Sequence, residues 1–153
     1  MHAIDETDRR ILRVMQKDGN LTVTQVAEQV GLSQSPCSRR IASLQADGII
    51  KSKRTILDPR MLGFDTVVIV RIKLIGHDTE NLEKFKKAVS LIPEIQVALL
   101  VLGDFDFYLR LICKDIYHYQ RLLQKELVDL PGVREMQSSV ILEVIKDSSA
   151  LPL

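Results

Sequence analysis

The chain has 153 residues, 46% of them apolar and 27% charged, with a mean hydropathy of +0.06 and a net charge of +1. That length suits one domain or two small ones on a linker, and the balance excludes a disordered chain. No apolar run reaches the ~18 residues of a membrane span, no leader pattern opens the chain, and two distant cysteines exclude a disulfide scaffold, so a reducing cytoplasm is expected.

The small net charge conceals a split. Residues 1–63 carry 10 Lys and Arg against 7 Asp and Glu, whereas residues 64–153 carry 11 against 13. The excess is tightest from Ser33 to Arg54, where Arg39, Arg40, Lys51, Lys53 and Arg54 face a lone Asp47. A localised basic stretch is the footprint a nucleic-acid module needs, although charge alone fits a solvated face equally well.

Residues Met1–Asp8 already carry helix-start chemistry. Asp5 with Asp8 caps a first helix whose apolar stripe is Ile4, Ile11, Leu12 and Met15, and Asp18-Gly19-Asn20 stops it. Thr22 with Gln25 forms a capping box for a second helix with the stripe Val23, Val26, Ala27 and Val30, ended by Gly31. Ser33 caps a third helix to about Asp47, with Pro36 in its first turn, where a missing N–H costs nothing. Two short helices on a Gly31-Leu32-Ser33 turn have helix-turn-helix spacing.

At 100° per residue, Cys37, Ile41 and Leu44 share one face of the third helix, and Ser35, Ser38, Arg39 and Ala42 share roughly the opposite one. That outward face is short-chained, carries an arginine and has no acid to repel phosphate, so it fits a major groove. Arg40 sits beside the apolar stripe, which points to packing or phosphate contact before base reading. The alternating run Ile49–Leu57, with Lys51, Lys53 and Arg54, predicts a small ribbon or wing. Cys37 on the apolar stripe reads as a small buried residue rather than a redox switch.

After Asp58-Pro59 and Met61-Leu62-Gly63 the hydrophobic period changes from 3.6 to 2. Strands are expected over Phe64–Ile75, Ile95–Leu102, Phe107–Cys113 and Val133–Lys146. Between them fall a helix capped at Asp78-Thr79, with Leu82, Phe85 and Val89 inward and Pro93 beyond it, and a helix from Ile116 to about Asp129. The second of these places Ile116, Tyr119, Leu123, Leu127 and Leu130 on one side. Gly103-Asp104-Phe105-Asp106 is a tight loop. His77 and His118 read as surface histidines, and Lys84, Lys86 and Lys87 as a wet helix face.

The fold class is therefore α+β: an N-terminal winged-type helix-turn-helix over residues 1–50, a ribbon or linker over 51–63, a ferredoxin-like βαββαβ domain over 64–147 and a C-terminal tail over 148–153. Strands apolar on both sides need both sheet faces covered, and only two helices are available. A second copy of the chain is the expected cover, which also supplies two reading helices for a two-fold site.

Several motifs in this order resemble the leucine-responsive regulatory protein (Lrp/AsnC) family of transcription regulators. They are Ile4-Asp5-x-x-Asp8-x-x-Ile11-Leu12, Val30-Gly31-Leu32-Ser33-Gln34-Ser35-Pro36-Cys37, Arg39-Arg40-Ile41-x-x-Leu44, Gly48-Ile49-Ile50, Leu57-Asp58-Pro59, Gly103-Asp104-Phe105-Asp106 and Pro131-Gly132-Val133. The resemblance implies a sequence-specific DNA-binding regulator of amino-acid metabolism, a homodimer that assembles further, often to an octamer, and that answers to a free amino acid. The DNA-contacting set becomes Ser33, Gln34, Ser35, Ser38, Arg39, Arg40, Lys51, Lys53 and Arg54.

By the same resemblance the effector site lies at contacts between dimers. Carried over position by position, it comprises Leu102, Gly103, Asp104 and Asp106 with Met136, Ser138 and Ser139. A carboxylate and exposed loop N–H groups suit the ammonium and carboxylate of an amino acid. Leu102 and Met136 depart from the family's more polar choices. They imply either an apolar effector such as leucine or methionine or a pocket that has lost its ligand. The closing residues resemble a branch that includes regulators of branched-chain keto acid and cysteine catabolism, which keeps cysteine open.

No cofactor, metal site or catalytic residue is expected. Asp104 and Asp106 lack a third ligand nearby, and no nucleophile–base or phosphate-loop constellation is present. The same two-domain build resembles sirohaem decarboxylases, but the pocket positions include no histidine or arginine. A largely architectural DNA-packaging role without effector control is the other alternative.

Overall fold

The computed structural model describes residues 4–76 and 78–153. They divide into two compact units, one built from the chain up to Ile56 together with Lys146–Leu153, the other from Leu57–Ile145. His77 and the first three residues of the Met1–Asp8 stretch lie outside the described residues.

The first unit contains helices α1 (Glu6–Lys17), α2 (Val23–Val30) and α3 (Gln34–Ala46). Both expected capping boxes form: Asp5 Oδ1 accepts from the Asp8 N–H at 2.8 Å, and Thr22 Oγ1 accepts from the Gln25 N–H at 3.3 Å. Ser33 occupies the N-cap position of α3 but makes no side-chain capping bond. Gly31 and Gly48 turn the chain after α2 and α3 at φ of 68° and 72°, where any other residue would be strained. Ile11, Val26, Val30, Cys37, Ile41 and Leu44 form the small core. Ile4, expected on the α1 stripe, is exposed, and the acid Asp8 is buried instead.

The expected ribbon over Ile49–Leu57 does not form: the segment has no regular structure, is exposed except at Ile50, and no strand among the described residues pairs with it. Alternation of side chains permits a strand, but only a partner's N–H and C=O groups make one. Ile50 alone packs against the core of the first unit.

The second unit opens with a single helical turn (Arg60–Leu62) and continues as β1 (Thr66–Leu74), α4 (Thr79–Ser90), β2 (Ile95–Leu100), β3 (Phe107–Cys113), α5 (Ile116–Leu122) and β4 (Val133–Val140). The sheet order is β2-β3-β1-β4 with all neighbours antiparallel, which is the expected ferredoxin-like βαββαβ arrangement. Val68, Val70, Ile72 and Leu74 of β1 are buried with Phe107, Leu109 and Leu111 of β3. Against them pack Phe85 and Val89 of α4 and Tyr119 and Leu122 of α5. The Phe85 and Phe107 rings lie 4.5 Å apart, a pair worth about 0.5–1.5 kcal/mol beyond its buried area.

Several element ends differ from expectation: β1 runs Thr66–Leu74 rather than Phe64–Ile75, and β2 stops at Leu100 rather than Leu102. A π-helical turn over Leu123–Leu127 continues α5, so the buried positions are Tyr119, Leu122, Leu127 and Leu130, with a step of five in the middle. Ile116, expected inward, is 48% exposed. The last strand stops at Val140 rather than Lys146; Ile141 still donates to the Val67 carbonyl at 2.9 Å, and the chain then leaves the sheet.

Candidate DNA-reading and effector sites

The candidate reading helix, α3, is held by α1. Arg40 of α3 donates from Nη1 to Asp5 Oδ2 at 2.7 Å and to Asp8 Oδ1 at 2.8 Å, and Asp8 has no solvent exposure. The two cap carboxylates of α1 thus hold α3, and they push the Arg40 guanidinium pKa up, first through the bond to Asp8 and then through that to Asp5. Arg10 of α1 donates to the Val30 carbonyl, satisfying a backbone acceptor at the C-terminus of α2. Arg40, expected to pack or to contact phosphate, is ion-paired to Asp5 and Asp8, and its side chain keeps 33% exposure.

Arg39 points the other way. It is exposed with Ser35, Ser38 and Ala42, its side chain makes no ion pair or hydrogen bond among the described residues, and it shares a helix that has no acidic residue. Ser33 and Gln34 are exposed at the start of α3, nearest the groove floor when a recognition helix enters by its N-terminal end. Lys51, Lys53 and Arg54 follow on the exposed segment after α3, likewise without ion pairs among the described residues. Cys37 lies on the buried side of α3, and desolvation pushes its thiol pKa up.

In the second unit the loop between β2 and β3 splits its two acids. Asp106 is buried: its Oδ2 accepts from the Leu74 N–H at 2.7 Å, and its own N–H donates to the Ile72 carbonyl at 2.9 Å. It ties the loop to the end of β1. Leu102, Gly103 and Asp104 stand clear of the fold, Leu102 fully exposed. Phe105 lies beneath Arg71, whose guanidinium carbon is 5.0 Å from the ring centroid. Arg71 Nη2 in turn donates to Gln137 Oε1 of β4 at 2.7 Å.

The β4 residues do not share one face. Met136 packs against the helix-side core, Ser138 is hydrogen-bonded to the Tyr119 hydroxyl of α5, and Ser139 falls on the opposite side by strand alternation. Met136 pairs with Ile72, and Ile72 pairs with Phe107, so β1 lies between the loop's root and β4. At ~4.8 Å per strand the two groups are separated by about 10 Å within one chain. Sequence reasoning missed the Asp5–Asp8–Arg40 cluster, the Arg71–Phe105 stack and the Tyr119–Ser138 bond. Only the Asp5-x-x-Asp8 spacing signalled the first of these.

An open groove of about 420 Å³ lies between α4 and β2, lined by Phe85, Val89, Ala98, Leu100 and Phe107 among others. It holds Lys86 but no carboxylate for an ammonium group, so it does not match a free amino acid. None of the expected effector positions lines it.

Comparison with known proteins identifies both units. Residues 4–51 match the winged helix-turn-helix DNA-binding model, and residues 67–151 match the Lrp/AsnC ligand binding domain. The chain belongs to the Lrp/AsnC family. It is a transcription regulator of that family, not an enzyme, which removes the decarboxylase alternative. The leucine-responsive regulatory protein of Haemophilus influenzae is 35% identical over 151 residues, covering 99% of this chain and 91% of that protein. Among solved structures, a Neisseria meningitidis transcriptional regulator in complex with L-Met superposes with a TM-score of 0.94 at 30% identity. That match covers 98% of this chain and 97% of that one. An AsnC family regulator from Agrobacterium tumefaciens gives 0.92 at 35% identity, covering 97% and 96%. In this Lrp/AsnC chain no helix among the described residues is long and apolar enough to cross a membrane.

Proposed function

We propose that this Lrp/AsnC regulator reads operator DNA with the outward face of α3 and that its DNA binding and assembly respond to a small amino acid. The observation that carries the reading half is the division of two adjacent arginines: Arg40 is held by Asp5 and Asp8, while Arg39 stands free beside Ser35 and Ser38. Ser33, Gln34, Ser35, Ser38 and Arg39 address base edges and the adjacent backbone. Lys51, Lys53 and Arg54 neutralise phosphates, and Arg40 acts by positioning α3 rather than by touching DNA.

The effector binds the exposed loop Leu102–Asp104, where the Asp104 carboxylate takes the ammonium group and loop N–H groups take the carboxylate. The L-Met complex of the similar Neisseria regulator supports an amino-acid ligand, and the apolar Leu102 and Met136 favour methionine or leucine, with cysteine a smaller alternative. The loop and Ser139 of β4 are too far apart to grip one small molecule alone. A second copy therefore completes the site, which makes binding sensitive to assembly.

The open sheet face supports a homodimer. It carries Val97, Leu99 and Tyr108, which are 37%, 53% and 37% exposed, beside Ile69 and Ile112. Apolar area of this kind calls for a partner, and a copy of the same face is self-complementary. Dimers then assemble further, to an octamer in this reading, in the cytoplasm where the DNA is.

Thermal melting of the purified protein against each of the twenty amino acids at millimolar concentration tests the proposal. Ligand at 100 times its Kd adds ~2.7 kcal/mol to the folded state. A selective rise with methionine, leucine or cysteine is expected. A flat panel, with operator binding intact, would refute the effector half and leave the architectural alternative.

A further inference from the structure

We propose that the segment Lys146–Leu153 is a strap that carries the effector response from the end of β4 to the DNA-reading unit, with Gln16 and Arg13 of α1 as its receptor. This rests on the effector reading above. Although it follows the second unit in sequence, the segment folds as part of the first.

The grip is built on the backbone. Gln16 Nε2 donates to the Leu151 carbonyl at 2.8 Å, and Gln16 Oε1 accepts from the Leu151 N–H at 2.9 Å, so one side-chain amide takes both polar groups of one residue. Arg13 Nε donates to the Leu153 backbone oxygen at 2.7 Å, while its Nη1 holds Glu6 Oε1 at 2.7 Å. The strap is folded to meet them: the Leu153 N–H donates to the Leu151 carbonyl at 2.9 Å, and the Ala150 N–H donates to Ser148 Oγ at 3.3 Å. Arg13 and Gln16, three residues apart, share one face of α1. An unstructured tail would leave such donors and acceptors to water.

What the strap holds matters as much as how. The same helix positions α3 through Asp5, Asp8 and Arg40. The chain that leaves β4 after Ile141 reaches the strap within a few residues. A displacement of β4, on which Met136, Ser138 and Ser139 lie, therefore has a short covalent route to α1, in addition to the exposed linker that follows α3. Coupling of this kind is a free energy, measured as the ratio of DNA affinities with and without effector.

Two full-length variants test it. Gln16→Ala removes both bonds to Leu151 and replaces an exposed residue with a good helix former, so α1 is retained. An insertion of about ten Gly and Ser residues between Ile145 and Lys146 keeps the grip but slackens the route. Operator affinity is measured with and without saturating L-methionine or L-leucine, amino-acid binding is followed by calorimetry, and hydrogen exchange is read at the Leu151 amide. Both variants should bind the amino acid and bare operator within about twofold of the unaltered chain. The affinity ratio, roughly 5–150-fold in typical allosteric proteins, should fall towards one in both. The Leu151 amide should be protected in the unaltered and insertion chains and released in Gln16→Ala.

A ratio that survives in either variant, while the unaltered chain responds, overturns the strap and leaves the effector reading standing. An unaltered chain whose DNA affinity ignores every amino acid overturns both. A Leu151 amide that exchanges freely in the unaltered chain removes the grip itself.

Discussion

Replacing Asp106 separates a loop anchor from an effector ligand. Its Oδ2 accepts the N–H of Leu74, a residue only 2% exposed, so Asp106→Ala leaves that donor without an acceptor and no water to replace it. A buried hydrogen bond to a charged acceptor contributes about 1.5–3 kcal/mol, and removing the partner costs at least that. In a unit of this size each kcal/mol moves the melting temperature by about 4–8 °C, so the alanine variant should melt roughly 6–24 °C lower. Asp106→Asn keeps an oxygen at the same place and should recover most of the loss. Calorimetric melting and amino-acid titration of both variants are the assays. If the loop is merely anchored, asparagine restores stability and amino-acid binding together. An alanine variant that melts like the unaltered protein refutes the anchor, and an asparagine variant that is stable but deaf to amino acids would make the Asp106 charge a ligand contact.

Arg39→Ala should reduce the preference for operator over random DNA by about 1–3 kcal/mol of discrimination while leaving the fold intact, as read by competition binding. Arg40→Ala should lower operator and random binding alike and lower the melting temperature, because it unties α3 from Asp5 and leaves Asp8 buried without that cation. An Arg40→Ala protein that keeps its melting point and loses only sequence preference would reverse the roles of the two arginines. Burial, with Glu94 and Asp115 adding to it, pushes the Cys113 thiol up to about 11, so about one part in a thousand is thiolate at pH 8. Both cysteines should resist a thiol reagent in the native state and react on unfolding in guanidinium; fast native labelling would contradict the packing.

The elements legible from sequence are those whose cause is local. Asp5-x-x-Asp8 and Thr22-x-x-Gln25 announce their helices because the capping bonds span three residues, and the β-branched alternation of Val68–Leu74 needs only its neighbours to declare a strand. Arg40 falls beside the apolar stripe by helical spacing, but its partners lie 32 and 35 residues away, and no spacing rule reaches that far. The π turn after α5 changes which residues face inward without changing their identity, so Leu123 is as good a core residue as Leu122 by pattern alone. The Gly103-Asp104-Phe105-Asp106 loop is recognisable as a candidate site, yet which acid faces inward depends on the pairing of Ile72 with Phe107, a long-range register. The strap is invisible for a different reason: Gln16 reads backbone, so residues 148–153 carry no side-chain signature of being held.

The pairing of Arg40 with two carboxylates changes what the basic stretch is worth to DNA. Of the five cations between Ser33 and Arg54, Arg40 is already ion-paired within the protein; in the proposed function Arg39 reads bases, which leaves Lys51, Lys53 and Arg54 for phosphates. In the proposed homodimer three per chain become six, for which counterion release gives a slope of about −5 in log affinity against log salt. If Arg40 and Arg39 also sat on phosphates the slope would approach about −9. Operator binding followed across salt concentrations distinguishes the two. Lys53→Ala should weaken operator and random DNA equally and flatten the slope by about one for each phosphate it no longer neutralises. A slope near −9 in the unaltered protein would mean that Arg40 leaves Asp5 and Asp8 when DNA arrives, and the positioning role assigned to it would fall.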